Sequence, residues 1–213
     1  MLLVEQLIDV CHRVYDKGFV SAFDGNLSVF TQDNTILITR SGVCKGAVLL
    51  EDILEIDLNG NVISGSGKVS TELKLHQFAY AYRQNVFAVI HTHSAYATAF
   101  ASSKNEIIND VFPEVILSLG KIPLCKYATP STDDLPKSLQ EYISEGWAYL
   151  LENHGAVTLG TDIYDAYYKM EKLEHTAKII SIARCLGGVN RLSQGKIDEL
   201  KSISEKVYGI KQN

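Results

Sequence analysis

The sequence predicts an α/β fold: one domain with a central mixed, mostly antiparallel sheet flanked by helices. Three observations carry this. Segments of helical period and segments of strand character are interleaved along the whole chain. Strands in the first third are joined by short turns, with Asn59-Gly60 the clearest hairpin signal, and hairpins favour antiparallel pairing over a doubly wound sheet. The length of 213 residues fits a single unit, 1–213, with no linker, internal repeat or low-complexity segment.

The elements follow in order. Leu3, Leu7, Val10 and Val14 recur at i, i+4, i+7 and i+11, an amphipathic helix ending near Gly18. FDGN (23–26) is a turn, and LSVF (27–30) and TILIT (35–39) are short strands. DILEIDLNGNVI (52–63) reads as two strands around Asn59-Gly60. Leu75, Phe78, Ala79 and Tyr82 share a helical face, so a helix is predicted from about Ser70. Strands are expected at 86–93, 121–127 and 147–154, with a helix at Leu135–Ser144 between the last two. Ala166, Met170, Leu173, Ala177 and Ile180 mark a long helix, and a final helix runs from about Ser193 to Val207.

Composition narrows the function classes. A net charge of −5 argues against nucleic acid or an anionic membrane as the main partner, while leaving room for a local anion pocket. Cys11, Cys44, Cys125 and Cys185 are scattered with no CxxC pair, which suits free thiols in a reducing, cytoplasmic setting. The start MLLVEQLIDV carries Glu5 and Asp9 and is not read as a signal peptide. No apolar run approaches the ~18 residues of a membrane span.

Chemistry concentrates in a few places. In VIHTHSAYA (89–97), His91 and His93 sit two apart at a strand end and would point to one face, either as a structural pair or as metal ligands. His154 ends a second apolar strand in LLENHGAV, and three imidazoles with an open fourth position are a catalytic zinc arrangement. His12, His76 and His175 lie within helices and read as surface or satisfied histidines, although His76 shares a helical face with Glu72. GSGKVSTE (65–72) is not a Walker A loop, since Val62 and Val69 stand where that motif needs glycine and a hydroxyl. Ser70 and Thr71 at a helix start could be plain capping residues or part of an anion site. Glu72 could be no more than a first-turn charge. The turns DGNLS (24–28) and TRSG (39–42) could be hairpin punctuation, or could bring Asn26, Ser41 and Gly42 to the same anion.

In chain order, GNLS, TRSG, STE, HTH and NHG resemble the class II aldolase/epimerase family, from the first helix to KVYGI (206–210). The resemblance implies a zinc ion held by His91, His93 and His154, with Glu72 as an acid/base that can also touch the metal. It implies a phosphate cradle of Asn26, Ser41, Gly42, Ser70 and Thr71. It further implies a homotetramer in which Tyr208 reaches a neighbouring subunit's site. The implied reaction is reversible cleavage of a ketose 1-phosphate, of the L-fuculose 1-phosphate kind, to dihydroxyacetone phosphate and a short aldehyde. Glutamate at position 72 leans toward aldolases, because the family's epimerases carry aspartate there. A sugar-phosphate 4-epimerase, a decarboxylase, a methylthioribulose-phosphate dehydratase and a metal-free adducin-like module share the scaffold. Two departures stand out: Arg40 replaces the cradle's usual proline, and FPEVILSLG (112–120) lacks the tyrosine of the fuculose-type site.

Overall fold

A computed structural model describes residues 2–103, 105–144 and 146–208. Helix α1 (Leu3–Asp16) buries one stripe, Leu7, Val10, Cys11 and Val14. After it come β1 (Asn26–Phe30), β2 (Ile36–Thr39), β3 (Ile53–Ile56), β4 (Val62–Ser64) and α2 (Leu73–Tyr82). The second half holds β5 (Ala88–Thr92), α3 (Ala95–Ala101), α4 (Pro113–Ser118), β6 (Leu124–Cys125), α5 (Asp134–Ser138), β7 (Ala148–Leu151), β8 (Gly155–Gly160), α6 (Ile163–Cys185) and α7 (Gln194–Tyr208). The strands form one sheet in the order β4-β3-β2-β1-β5-β8-β7-β6. Every pairing is antiparallel except β6 with β7, so the sheet is mixed and mostly antiparallel as the hairpin signals predict.

Alternation along the strands divides the core between the two faces of the sheet. Leu27, Val29, Ala88, Ile90, Ala148, Leu150 and Ala156 pack with the buried stripes of α1 and α6. On the opposite face Val89, Tyr149, Val157 and Leu159 pack with Leu75 and Ala79 of α2 and with Leu135 and Leu139. Ile36, Ile38, Leu54 and Ile56 extend that second layer to the sheet's other end. No helix among the described residues is long and apolar enough to cross a membrane.

Several elements differ from the sequence expectations for identifiable reasons. The strand expected at 147–154 stops at Leu151, and the chain turns back at once as β8, which the sequence reading did not anticipate. Strand β8 lies between β5 and β7, and its glycine-bounded GAVTLG follows β7 so closely that sequence alone does not separate the two. The helix expected from Ser70 starts at Leu73, because Ser70 Oγ accepts the Glu72 N–H (3.3 Å) and shapes a turn first. The expected helix 135–144 is regular only over Asp134–Ser138, and the expected strand 121–127 pairs only at Leu124–Cys125. Helices α3 and α4 are single short segments without a periodic stripe long enough to read.

Candidate functional site

Antiparallel pairing of β1 with β5 sets Asn26 directly opposite His91 on the face covered by α2. His93, two residues on, lies just beyond the strand, and His154 sits in the tight β7–β8 turn, where Asn153 takes a left-handed φ of 54°. Gly155 follows because a side chain cannot. A Cβ there would fall 2.5 Å from the Thr92 carbonyl oxygen and 2.7 Å from His93 Cδ2. Gly25, at φ 72°, likewise lets the turn before β1 run against the His91 carbonyl oxygen, 2.7 Å from where a Cβ would stand.

The three imidazoles converge. Their ring centroids are 4.7 to 5.2 Å apart and their planes are steeply inclined to one another. His91 Nδ1 donates to the Ala156 carbonyl oxygen (3.0 Å), which leaves the Nε2 lone pair facing inward, 3.2 Å from His93 Nε2. Glu72 precedes α2 and makes no capping hydrogen bond with its side chain. Its Oε2 lies 3.3 Å from His91 Nε2, and its Oε1 lies 3.1 Å from His154 Nε2. Tetrahedral coordination at ~2.0–2.1 Å spaces ligand atoms about 3.3 Å apart, close to these separations. His154 Nδ1 is buried with no hydrogen-bond partner, so the cluster is not satisfied by its own groups.

Protonation favours the same use. Burial pushes the His91 and His93 imidazoles down, keeping them neutral at physiological pH. Burial also pushes Glu72 up, but the polar groups around it, the hydrogen bonds with His154 and with the Asn26 amide among them, more than offset it. The carboxyl therefore sits below the usual carboxylate range. Neutral imidazoles beside a carboxylate are a donor set that fits a divalent cation.

Behind Glu72 runs a buried chain of hydrogen bonds with one consistent direction. Asn26 Nδ2 donates to Glu72 Oε2 (2.7 Å), so Asn26 Oδ1 must accept from His76 Nε2–H (2.5 Å). His76 Nδ1 then accepts from the Ser28 hydroxyl (2.6 Å), and Ser28 in turn accepts from the Tyr80 hydroxyl (2.6 Å). Burial lowers His76 to about 4, consistent with a neutral ring. The satisfied-histidine reading suits His76, but what it satisfies is the group that holds Glu72.

In front of the cluster, a cavity of about 190 Å³ is lined by Asn26, Ser41, Gly42, Ser70, Thr71, Glu72, His93 and His154. All five residues expected of the anion cradle are brought together there. The Ser41 N–H donates to the Lys68 carbonyl oxygen (2.8 Å), tying the TRSG loop to the segment before Ser70. Arg40, Lys45 and Asp24 also line the cavity, and the sequence reading gave none of them a role. A wider cleft of about 420 Å³ lies elsewhere, between Phe112, Glu114 and α6, without comparable convergence of polar groups. Helix α7 ends at Tyr208, whose side chain lies outside the described residues.

Comparison with known proteins meets this geometry. The family described as the Class II Aldolase and Adducin N-terminal domain matches residues 5–181. An L-fuculose phosphate aldolase of Methanococcus maripaludis is 38% identical over 174 residues, 82% of this chain and 93% of that protein. A 3-oxo-tetronate 4-phosphate decarboxylase of Escherichia coli is 32% identical over 206 residues, 94% of this chain and 95% of that protein. A solved L-fuculose 1-phosphate aldolase superposes with a TM-score of 0.87 at 28% identity, over 97% of this chain and 96% of that one.

Proposed function

The chain belongs to the class II aldolase and adducin family, and from that premise we propose that it is a zinc-dependent aldolase. It cleaves a ketose 1-phosphate of the L-fuculose 1-phosphate kind reversibly to dihydroxyacetone phosphate and a short aldehyde. The observation that carries this reading is the placement of Glu72: its carboxylate touches two of the three histidines and also lines the cavity formed by the cradle residues. An adducin-like module without a metal would have no use for that arrangement.

His91, His93 and His154 would hold the metal, with Glu72 able to join them. When bound, the metal supplies Lewis-acid stabilisation of negative charge on the carbonyl and adjacent hydroxyl oxygens. Asn26, Ser41, Gly42, Ser70 and Thr71 bind the phosphate and fix the register of the carbon chain against Glu72. Breaking C3–C4 releases the C4 hydroxyl proton and leaves an enediolate; Glu72 takes up one proton and delivers it to the enediolate carbon, so none is gained or lost overall, and in synthesis the same carboxylate removes that proton. Low intrinsic basicity in the resting site keeps Glu72 ionised, the form synthesis needs. Tyr208 of a neighbouring subunit in a homotetramer orients or protonates the aldehyde end, in place of the tyrosine that 112–120 lacks. The unpaired cysteines suit an enzyme of a reducing cytoplasm.

Decarboxylation of a 3-oxo acid phosphate is the second reading, favoured by the 32%-identical decarboxylase that aligns over 94% of the chain. Both reactions release a leaving carbon and require protonation of an enediolate, so Glu72 would serve either. Zinc-loaded protein is to be assayed against ketose 1-phosphates for dihydroxyacetone phosphate and against 3-oxo-4-phospho acids for carbon dioxide. Dihydroxyacetone phosphate from a ketose phosphate is expected. Carbon dioxide release alone would replace the aldolase reading with the second one.

A further inference from the structure

Lys45 begins a short 3₁₀ turn (Lys45–Ala47) just after the TRSG loop and lines the cavity, yet its side chain is only 1% exposed. Its ammonium donates to the Val43 carbonyl oxygen (2.9 Å) and, more weakly, to the Phe23 carbonyl oxygen (3.4 Å). A third N–H has no acceptor among the described residues. No carboxylate forms an ion pair with it there: Asp24 is near enough to favour its charge but faces His93 Nδ1 at 3.6 Å, and Asp52 is taken by Arg40 at 2.6 Å. The neighbouring Cys11 thiol is pushed up to about 12 by its own burial and carries no charge. Burial accordingly pulls the Lys45 ammonium down from its ordinary range. A buried cation without a counter-ion costs stability unless something negative comes to it. The feature is also one that the cradle expected from the sequence does not contain, since that cradle is made of hydroxyls, an amide and backbone N–H groups.

We propose that Lys45 is the missing counter-charge of this site, donating its free N–H to the substrate's phosphoryl dianion and selecting phosphorylated over neutral sugars. The inference rests on the phosphosugar reading above and sharpens it. It assigns the phosphate end a full positive charge held between the two loops that carry Phe23 and Val43. The rival is structural: the ammonium merely ties those loops together through their carbonyl oxygens.

The two roles predict opposite signs for one substitution. Lys45→Met keeps the length of the side chain and removes the charge. Under the proposal, zinc-loaded Lys45→Met binds inorganic phosphate about 10–100-fold more weakly by calorimetry, the loss of one charge-assisted hydrogen bond. Its thermal midpoint in phosphate-free buffer equals or exceeds that of the unsubstituted protein, because an unneutralised buried charge has gone. Phosphate then raises the midpoint of the unsubstituted protein more than that of the variant. Lys45→Arg is expected to retain most of the phosphate affinity.

Phosphate affinity within twofold of the unsubstituted protein overturns the proposal, as does a lowered midpoint with an unchanged response to phosphate. If the unsubstituted protein itself binds no phosphate, the anion site falls together with Lys45. If phosphate binds through Lys45 but no ketose phosphate is cleaved, the aldolase reading fails and the assignment of Lys45 stands.

Discussion

At the scale of single residues, Glu72 has two competing explanations: a charge suited to a helix start, and a proton-transfer group. Its side chain caps nothing, and its two oxygens are shared among Asn26, His91 and His154. Glu72→Gln keeps the shape and removes the transferable proton, so turnover is expected to fall roughly 10²–10⁴-fold with folding little changed; near-normal turnover would return Glu72 to the helix-start role. His76 acts on Glu72 through Asn26. His76→Phe leaves Asn26 Oδ1 without its donor, and kcat is expected to drop about 10–100-fold with KM nearly constant. Glutamine, which can restore an N–H, should recover part of the loss. The same ring gives a pH signature: unfolded histidine takes up a proton near pH 6.5, whereas buried His76 does so only near 4. The unfolded state therefore binds more protons between those values, and stability is full above pH 6.5 and is lost as pH falls toward 4. In urea titrations of metal-free protein, His76→Phe should flatten that slope. The pairing of His91 with His93 was legible because strand alternation puts i and i+2 on one face. The role of His76 was not, because Asn26, its link to Glu72, lies 50 residues away in sequence and is brought near only by folding.

Elements decide whether those residues meet. The β7–β8 hairpin carries His154 back over β5, with Val157 opposite His91, and closes on Gly155. Sequence pattern located β1, β2, β3 and β5 as short apolar runs and the long helices by their buried stripes. It passed over β8, a glycine-bounded run (GAVTLG) that begins right after the turn at His154, and merged that turn into a strand. The position of that turn is what makes His154 a partner of His91. Gly155→Ala drives a methyl into the Thr92 carbonyl and the His93 ring, 2.5 and 2.7 Å away. The hairpin must shift and take His154 with it. Zinc content after dialysis against a fixed metal concentration is expected to fall, with metal affinity lost by about 10–100-fold while far-ultraviolet circular dichroism is retained. Full zinc occupancy in Gly155→Ala would mean that the three histidines tolerate a displaced turn and that no fixed geometry is needed.

For the whole molecule, the open question is whether one chain completes its own site. The histidine cluster and Glu72 face a cavity lined by polar groups, and 112–120 contains no tyrosine. Helix α7 is held to α4 through Ser204 Oγ, which donates to the Leu117 carbonyl oxygen (3.0 Å). Ending the chain before Lys206 keeps Ser204 and removes Tyr208 with the polar tail GIKQN. The removed segment KVYGIKQN is largely polar, so the thermal midpoint should move little. Turnover should nevertheless fall, because a positioned acid/base and a cover against water leave together. Light scattering on the intact chain should give four times the monomer mass of 23.6 kDa. The decisive experiment mixes truncated chains with chains that carry Glu72→Gln. If Tyr208 serves a neighbour, mixed tetramers contain sites that join an intact Glu72 to an intact tail, and activity should rise above that of either parent. A monomeric protein, or mixing without any gain, would show that each chain works with its own residues alone.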